Sequence, residues 1–364
     1  MSKVCVVSCQ FPPDVGGLGA SVYRITRALS DQFDIDIIAT TSSKNPNCLK
    51  TVGAASVHYV SEGRNYLETI NNLSIAVARL DIDRRYDLFH GFYLPVAKAI
   101  IPVARGRPII GSVRGNDVVQ WLAEQQKRAV VKEVVRRCDA ITTVATDLGE
   151  FLDSVTKVRN KLRLIFNAAR PKNLSWIAHD DQIGVVGSVA NFRRKKGTLD
   201  LIRAFSLVPK EWRRQLLLVG GFDEDPEEGK KATLLSNELG IADQVHVTGQ
   251  MNSNSAVERA MLRMRVFAMA SHHDGHSNAV MEAASLGLPM VATNVGAIRE
   301  LVVDEKHALV VEPRNSLALS RAIARMLADI DLAKSLGREF QRLAMEYGED
   351  YEKEEWTKLY GEFI

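Results

Sequence analysis

The feature that most constrains this chain is an alternation that runs twice. Short apolar stretches of strand length are each followed by a helical pattern, from residue 3 to about residue 145 and again from residue 183. In the first series "KVCVVSC" (3–9), "DIDIIATT" (34–41), "DLFHGFY" (87–93), "PIIGSV" (108–113) and "AITTVA" (140–145) read as strands, and helical periodicity falls on 19–31, 67–79, 94–104 and 118–137. The second series runs "IGVVGSV", a helix near 198–208, "QLLLVGG", a helix near 230–240, "QVHVTG", a helix near 254–263, "VFAMAS", a helix near 279–287 and "PMVATN". Strand–helix alternation implies parallel sheets with crossover helices. The fold class is therefore α/β, with two doubly wound, Rossmann-like domains expected to face a cleft. The join falls in "FNAARPKNLSWIAHDD" (166–181), where Pro, Asn and charge break the pattern. Domains of 1–170 and 171–345 follow. The end, 346–364, reads as a charged helix with Trp356, Leu359, Tyr360 and Phe363 on one apolar side, expected to return to the first domain. "FDEDPEEGKK" (222–231) reads as a solvated loop.

Composition narrows the function classes. Apolar residues make up 46% and charged residues 25% of 364, which suits a soluble globular chain with two cores. No apolar run approaches the roughly 20 residues of a membrane helix, and the N-terminus reads as a strand rather than a signal peptide. A net charge of +3 is too small to imply a nucleic-acid partner. The four cysteines, Cys5, Cys9, Cys48 and Cys138, lack metal-ligand spacing, which points to structural thiols in a reduced, cytoplasmic setting.

In doubly wound sheets, ligands bind outside the carboxyl ends of the strands, so the strand-to-helix junctions carry the functional signal. In "SCQFPPDVGGLGASVYRI" Gly16 and Gly17 precede a helix; paired glycines allow close backbone approach, and the helix N-terminus offers N–H groups to an anion. The spacing is not that of a dinucleotide fingerprint. In "GSVANFRRKKGTLDLIRAF" the cations Arg193 to Lys196 stand between a strand end and a helix, where they would neutralise a diphosphate. In "SHHDGHSNAVMEAASLG" (271–287) Asp274 precedes a helix with Asn278 as expected N-cap and Gly287 as its end, and Glu282 closes the first turn. A carboxylate accepts from two adjacent sugar hydroxyls. Acids for a sugar and cations for a phosphate can thus share one site.

With these junctions in place, the chain resembles the retaining family-4 glycosyltransferases of the GT-B fold. "PPDVGGLGASVYRITRAL", "VANFRRKKGTLDLIRAF", "LLLVGGF…LLSNELGIADQVHVTGQM" and "HDGHSNAVMEAASLGLPMVATNVGAIRELV" are similar to that family's blocks and stand in its order, the last being an acid-x7-acid signature. The resemblance implies that Glu282 holds the nucleotide ribose and Asp274 the donor-sugar hydroxyls. Arg193 and Lys196 would contact the donor diphosphate, Gly16 and Gly17 would approach it, and Gly275, His276, Ser277 and Asn278 would present backbone N–H groups. Three positions depart from the family pattern. Asp274 replaces the usual Glu. "RGND" puts Arg114 where the family has His and keeps Asp117, so a phosphate or acceptor contact suits both better than proton abstraction. Asn167–Ala168 replaces Asn–Gly at the interdomain loop.

The expected activity is metal-independent transfer, with retention, from a nucleotide-diphosphate sugar to a glycan, lipid-linked or small-molecule acceptor, with no cofactor. The alternatives are a catalytically silent GT-B-like module that binds a nucleotide sugar, and another GT-B enzyme such as an epimerase or phosphorylase. The helix candidate "WLAEQQKRAVVKEVVRRCD" (121–139), with Arg128, Lys132 and Arg136 at i, i+4 spacing, raises weak peripheral contact with an anionic membrane face.

Overall fold

A computed structural model describes residues 1–13, 17–41, 50–170, 172–251 and 253–364. These residues form two compact units, 1–167 with 349–364, and 168–348. The first unit runs β1 (Lys3–Ser8), α1 (Gly17–Leu29), β2 (Asp34–Thr41), β3 (Thr51–Val52), β4 (Ala55–Ser61), α2 (Tyr66–Arg84), β5 (Leu88–Phe92), α3 (Ile101–Ala104), β6 (Ile109–Ser112), α4 (Asn116–Ala123), α5 (Gln125–Arg137), β7 (Ala140–Thr143), α6 (Thr146–Thr156) and β8 (Leu162–Leu164). The second runs β9 (Val185–Val189), α7 (Thr198–Leu207), β10 (Gln215–Val219), α8 (Pro226–Glu238), β11 (Val245–Val247), α9 (Asn254–Leu262), β12 (Val266–Met269), α10 (Asn278–Leu286), β13 (Met290–Thr293), α11 (Ile298–Leu301), β14 (Leu309–Val311), α12 (Ser316–Ala328) and α13 (Ile330–Glu346); α14 (Glu349–Gly361) belongs to the first unit.

The first sheet has strand order β3-β4-β2-β1-β5-β6-β7-β8, parallel throughout except for the β3–β4 hairpin. The second, β11-β10-β9-β12-β13-β14, is wholly parallel. Both are Rossmann-like, and their strands read as continuous apolar runs because helices cover both faces. Alternating side chains of β1 show this: Cys5 and Val7 enter one core, Val4 and Val6 the other. Burial pushes the Cys5 thiol well up and that of Cys138 up to about 12, so both are inert core groups.

α14 is fixed to the first unit by its apolar side and by polar contacts. Trp356, Leu359 and Tyr360 are buried with the β1–β2 core. Buried Glu352 accepts from Arg24 of α1 through both oxygens, at 2.6 and 2.8 Å. His90 of β5 contacts the Tyr360 hydroxyl through Nδ1 and Ser112 Oγ through Nε2, each at 2.7 Å. Burial holds its pKa well below the ordinary value, which keeps the ring neutral.

Four elements differ from their sequence reading. The single helix expected over 118–137 is broken at Glu124, which is extended (φ −99°, ψ 129°), giving α4 and α5. The expected helix over 94–104 is a 3₁₀ segment, Leu94–Ala99, followed by the short α3, with a proline near the start of each. The stretch between the expected strand 34–41 and the expected helix 67–79, to which the sequence reading gave no element, contains β4, which adds to β2 in parallel. The "solvated" charge run contains the start of α8, whose N-cap Asp225 accepts from the Glu228 amide at 3.2 Å.

Candidate functional site

β9 and β12 are neighbours at the point where strand order in the second sheet reverses. That switch point is where doubly wound sheets open a crevice at their carboxyl ends. The loops that leave β9, β10, β12 and β13 therefore gather there, and the sequence-predicted donor residues lie on the first and third.

The loop after β9 carries the cations. Arg193 precedes a single 3₁₀ turn, Arg194–Lys196, which ends at Gly197 with φ +63° and leads into α7. A Cβ at Gly197 would lie 2.0 Å from the Ala270 carbonyl oxygen, so only glycine lets this loop approach the one after β12 so closely. The His272 amide donates to the Lys195 carbonyl at 2.8 Å. The Lys196 ammonium donates to Asp274 Oδ2 at 2.6 Å, with side-chain exposures of 17% and 13%.

Asp274 is engaged at both oxygens. Oδ2 also accepts from Ser271 Oγ at 3.4 Å, and Oδ1 accepts from the Gly275 amide at 3.0 Å. Burial pushes its carboxyl up. The charge and hydrogen bond of Lys196, the charge of Lys195 and the Gly275 amide outweigh that and hold it below its ordinary range. Gly275 donates its N–H to the side chain of the residue before it. Lys195 is half-buried among Arg193, Lys196, Asp274 and Glu224, and burial pushes its ammonium down to about 8.

The helix that follows is the expected one, with a corrected start. Ser277, not Asn278, is the N-cap of α10, and it makes no side-chain capping bond. The first-turn amides thus gain no side-chain cap, as at the start of α7, and such an end can take an anion. Glu282 is half-buried and lies beyond the first turn, not at its close. Dipole stabilisation, confined to the first turn, does not account for it.

Sequence reasoning missed the loop after β10. Glu224 accepts from Arg193 Nη1 at 2.7 Å and from Asn191 Nδ2 at 2.9 Å, and Asp225 Oδ2 accepts from the Arg194 amide at 3.1 Å. Phe192 and Phe222 pack with ring centroids 5.4 Å apart. Arg193 is therefore paired, and its Nε is buried without a partner among the described residues. The signal was available: "LLLVGGF" is also a strand running into glycines at the carboxyl edge. Gly296, after β13, was missed too. Its φ is +55°, and a Cβ there would meet the Gly275 and Asp274 carbonyl oxygens at 2.3 and 2.4 Å.

In the first unit, Gly17 begins α1. Gly16 and the side chain of Asp117 lie outside the described residues. Arg114 follows β6, donates to Asn167 Oδ1 and sits 5.8 Å from the Phe92 ring centroid.

Comparison with known proteins points to the same fold. Residues 15–172 match the family model described as Glycosyltransferase Family 4, and residues 173–342 the one described as Glycosyl transferases group 1. The chain is 23% identical to glycogen synthase of Mycobacterium tuberculosis, covering 95% of this chain and 91% of that protein. It is 21% identical to N-acetyl-alpha-D-glucosaminyl L-malate synthase of Bacillus anthracis, covering 63% and 61%. Among solved structures, sucrose-phosphate synthase from Thermosynechococcus elongatus superposes with a TM-score of 0.88 at 20% identity, covering 100% and 99%. Anabaena HepE in complex with UDP and glucose gives 0.81 at 16%, covering 100% of each chain. Two Rossmann-like units and two family models that between them span residues 15–342 make this chain a family-4 glycosyltransferase of the GT-B fold.

Proposed function

We propose that the chain transfers a sugar, with retention and without a metal, from a nucleotide-diphosphate sugar bound by the second unit to an acceptor taken up by the first. The observation that carries this reading is the Lys196–Asp274 pair held beside the uncapped start of α10. It combines a cation for phosphate, an acid for sugar hydroxyls and free helix amides in one place. The solved relatives that hold UDP or UDP-glucose support the class of donor.

In this reading the diphosphate lies against Lys196, Lys195 and Arg193, and against the α10 amides. Glu282 holds the ribose. Asp274 aims Lys196 and accepts from the donor sugar through the lone pairs its present partners leave. The bond from the anomeric carbon to the diphosphate oxygen breaks, and the electron pair leaves with the diphosphate. The fixed cations stabilise the charge that grows there and do the work a metal does in other transferases. The acceptor oxygen bonds to the anomeric carbon on the same face, and its proton passes to the departing phosphate. Gly16, Gly17, Arg114 and Asp117 serve the phosphate and acceptor from the first unit.

We place the enzyme in the cytoplasm, with weak peripheral attachment to an anionic membrane face. No described helix is long and apolar enough to cross a membrane. Val131, Val134 and Val135 of α5 are buried in the first unit, while Arg128, Lys132 and Arg136 are exposed. Attachment would therefore be electrostatic and salt-sensitive rather than insertion of an apolar face.

The experiment is turnover of a panel of nucleotide sugars in cell lysate. Lys196→Ala should lose about 10²–10³ in rate, the cost of one preorganised charge-stabilising donor. A rate within threefold of the native protein would place the diphosphate elsewhere. Binding without hydrolysis or transfer would favour a silent binding module.

A further inference from the structure

Four contacts tie the loop after β9 to the loop after β12. Two are backbone contacts: Gly197 lying under the Ala270 carbonyl, and the His272 amide donating to Lys195. The third is the Lys196–Asp274 pair. The fourth is a side-chain bond between His272 Nε2 and Asp200 Oδ2 at 2.5 Å, both side chains 18% exposed. Asp200 lies in the first turn of α7, three residues after Gly197. A carboxylate can only accept, so the ring carries its proton on Nε2. Asp200 is itself held through Oδ1, which accepts from Ser316 Oγ at the start of α12 at 3.3 Å and from Arg203 Nη1 at 3.4 Å.

These four links differ in what happens when an anion arrives. A phosphate that takes Lys196 competes with Asp274 for the same ammonium, so the third link weakens as the site fills. The fourth uses no group that the site needs for ligand. Nor does His272 follow from the donor chemistry: a ring at the exit of a buried strand could have been apolar.

We propose that His272 and Asp200 are positioning residues of the donor site, a hydrogen-bonded brace that keeps the cation loop and the Asp274 loop in register while Lys196 exchanges Asp274 for phosphate. The phosphate part of this inference rests on the function proposed above. The brace itself does not, because the bond between His272 and Asp200 involves protein groups alone.

Two measurements test it. The first needs no ligand. In a double-mutant cycle of His272→Leu with Asp274→Asn, followed by chemical unfolding, the brace makes the Lys196–Asp274 pair depend on His272. The unfolding constant of the double variant should then differ from the product of the single effects by at least fivefold. Additivity would overturn the proposal even if the protein never binds a nucleotide. The second is calorimetry with inorganic pyrophosphate, UDP and uridine. His272→Leu should weaken pyrophosphate and UDP about tenfold and leave uridine unchanged. His272→Gln and Asp200→Asn, which can keep a hydrogen bond across the gap, should restore most of the affinity. Equal loss for all three probes, or no rescue, would mean the histidine only supports the fold. Failure of the native protein to bind any of the three would count against the proposed function, and the cycle would still decide the brace.

Discussion

Asp274→Asn separates the two tasks assigned to this residue. Its charge faces the Lys196 ammonium at 2.6 Å with both side chains mostly buried. Two unit charges at that distance attract by about 6 kcal/mol at an effective dielectric of about 20, and desolvation offsets much of this. Breaking a buried pair by deleting one partner costs about 3–5 kcal/mol, because the other charge is left uncompensated. The asparagine oxygen retains a hydrogen bond to the ammonium, worth about 1–2 kcal/mol. The variant should therefore lose about 2 kcal/mol of stability in the second unit when empty, and less with saturating pyrophosphate, which becomes the new partner. Removing a negative charge beside the phosphates should also strengthen pyrophosphate binding by about 1 kcal/mol, roughly fivefold. The full donor should not gain in the same way, since it loses its sugar contact. Urea unfolding with and without pyrophosphate, together with calorimetry for pyrophosphate and a nucleotide sugar, reads all of these. Unchanged stability together with weaker pyrophosphate binding would refute the reasoning.

Lys195 gives a pH test. Its folded pKa, pushed down to about 8, lies below the unfolded value of about 10.4. The unfolded chain thus binds more protons between these values, and stability should rise from about pH 8 to 10 by an increment that Lys195→Met abolishes. Diphosphate affinity should fall over the same interval as the cation is lost. Glu282→Ala should weaken the free nucleoside diphosphate and the full donor alike in calorimetry, since its proposed partner is the ribose. Glu352→Ala strands Arg24 under α14 and should cost the first unit about 3–5 kcal/mol in denaturation, while leaving pyrophosphate binding intact. Cosedimentation at low salt should favour anionic over neutral vesicles and lose that preference at physiological salt, at about 1 kcal/mol per surface cation.

Much of the fold was legible because a parallel sheet covered on both faces writes its strands as unbroken apolar runs, such as "KVCVVS" and "VFAM". β4 has no continuous apolar run; its alternation of polar and apolar residues, ASVHYVS, marks a half-buried strand and was the signal that could have found it. The break at Glu124 left no mark, since "AEQQK" has good helix propensity throughout and no proline or glycine. At the candidate site, junction logic pointed to Lys196, Asp274 and Glu282, and the fold brings the first two together at 2.6 Å. That logic did not find Glu224, His272 or Asp200. Their partners lie 31 and 72 residues away in sequence, and no local pattern encodes which loop meets which.

The central claim is that the second unit holds a nucleotide diphosphate through Lys196 and the start of α10. Calorimetric titration of the native protein and Lys196→Ala with the diphosphates of the common nucleosides tests it most directly. The account predicts that at least one binds the native protein, with affinity falling at least tenfold in the variant while its unfolding midpoint stays within a few degrees. Binding to neither, or equal binding to both, would contradict it.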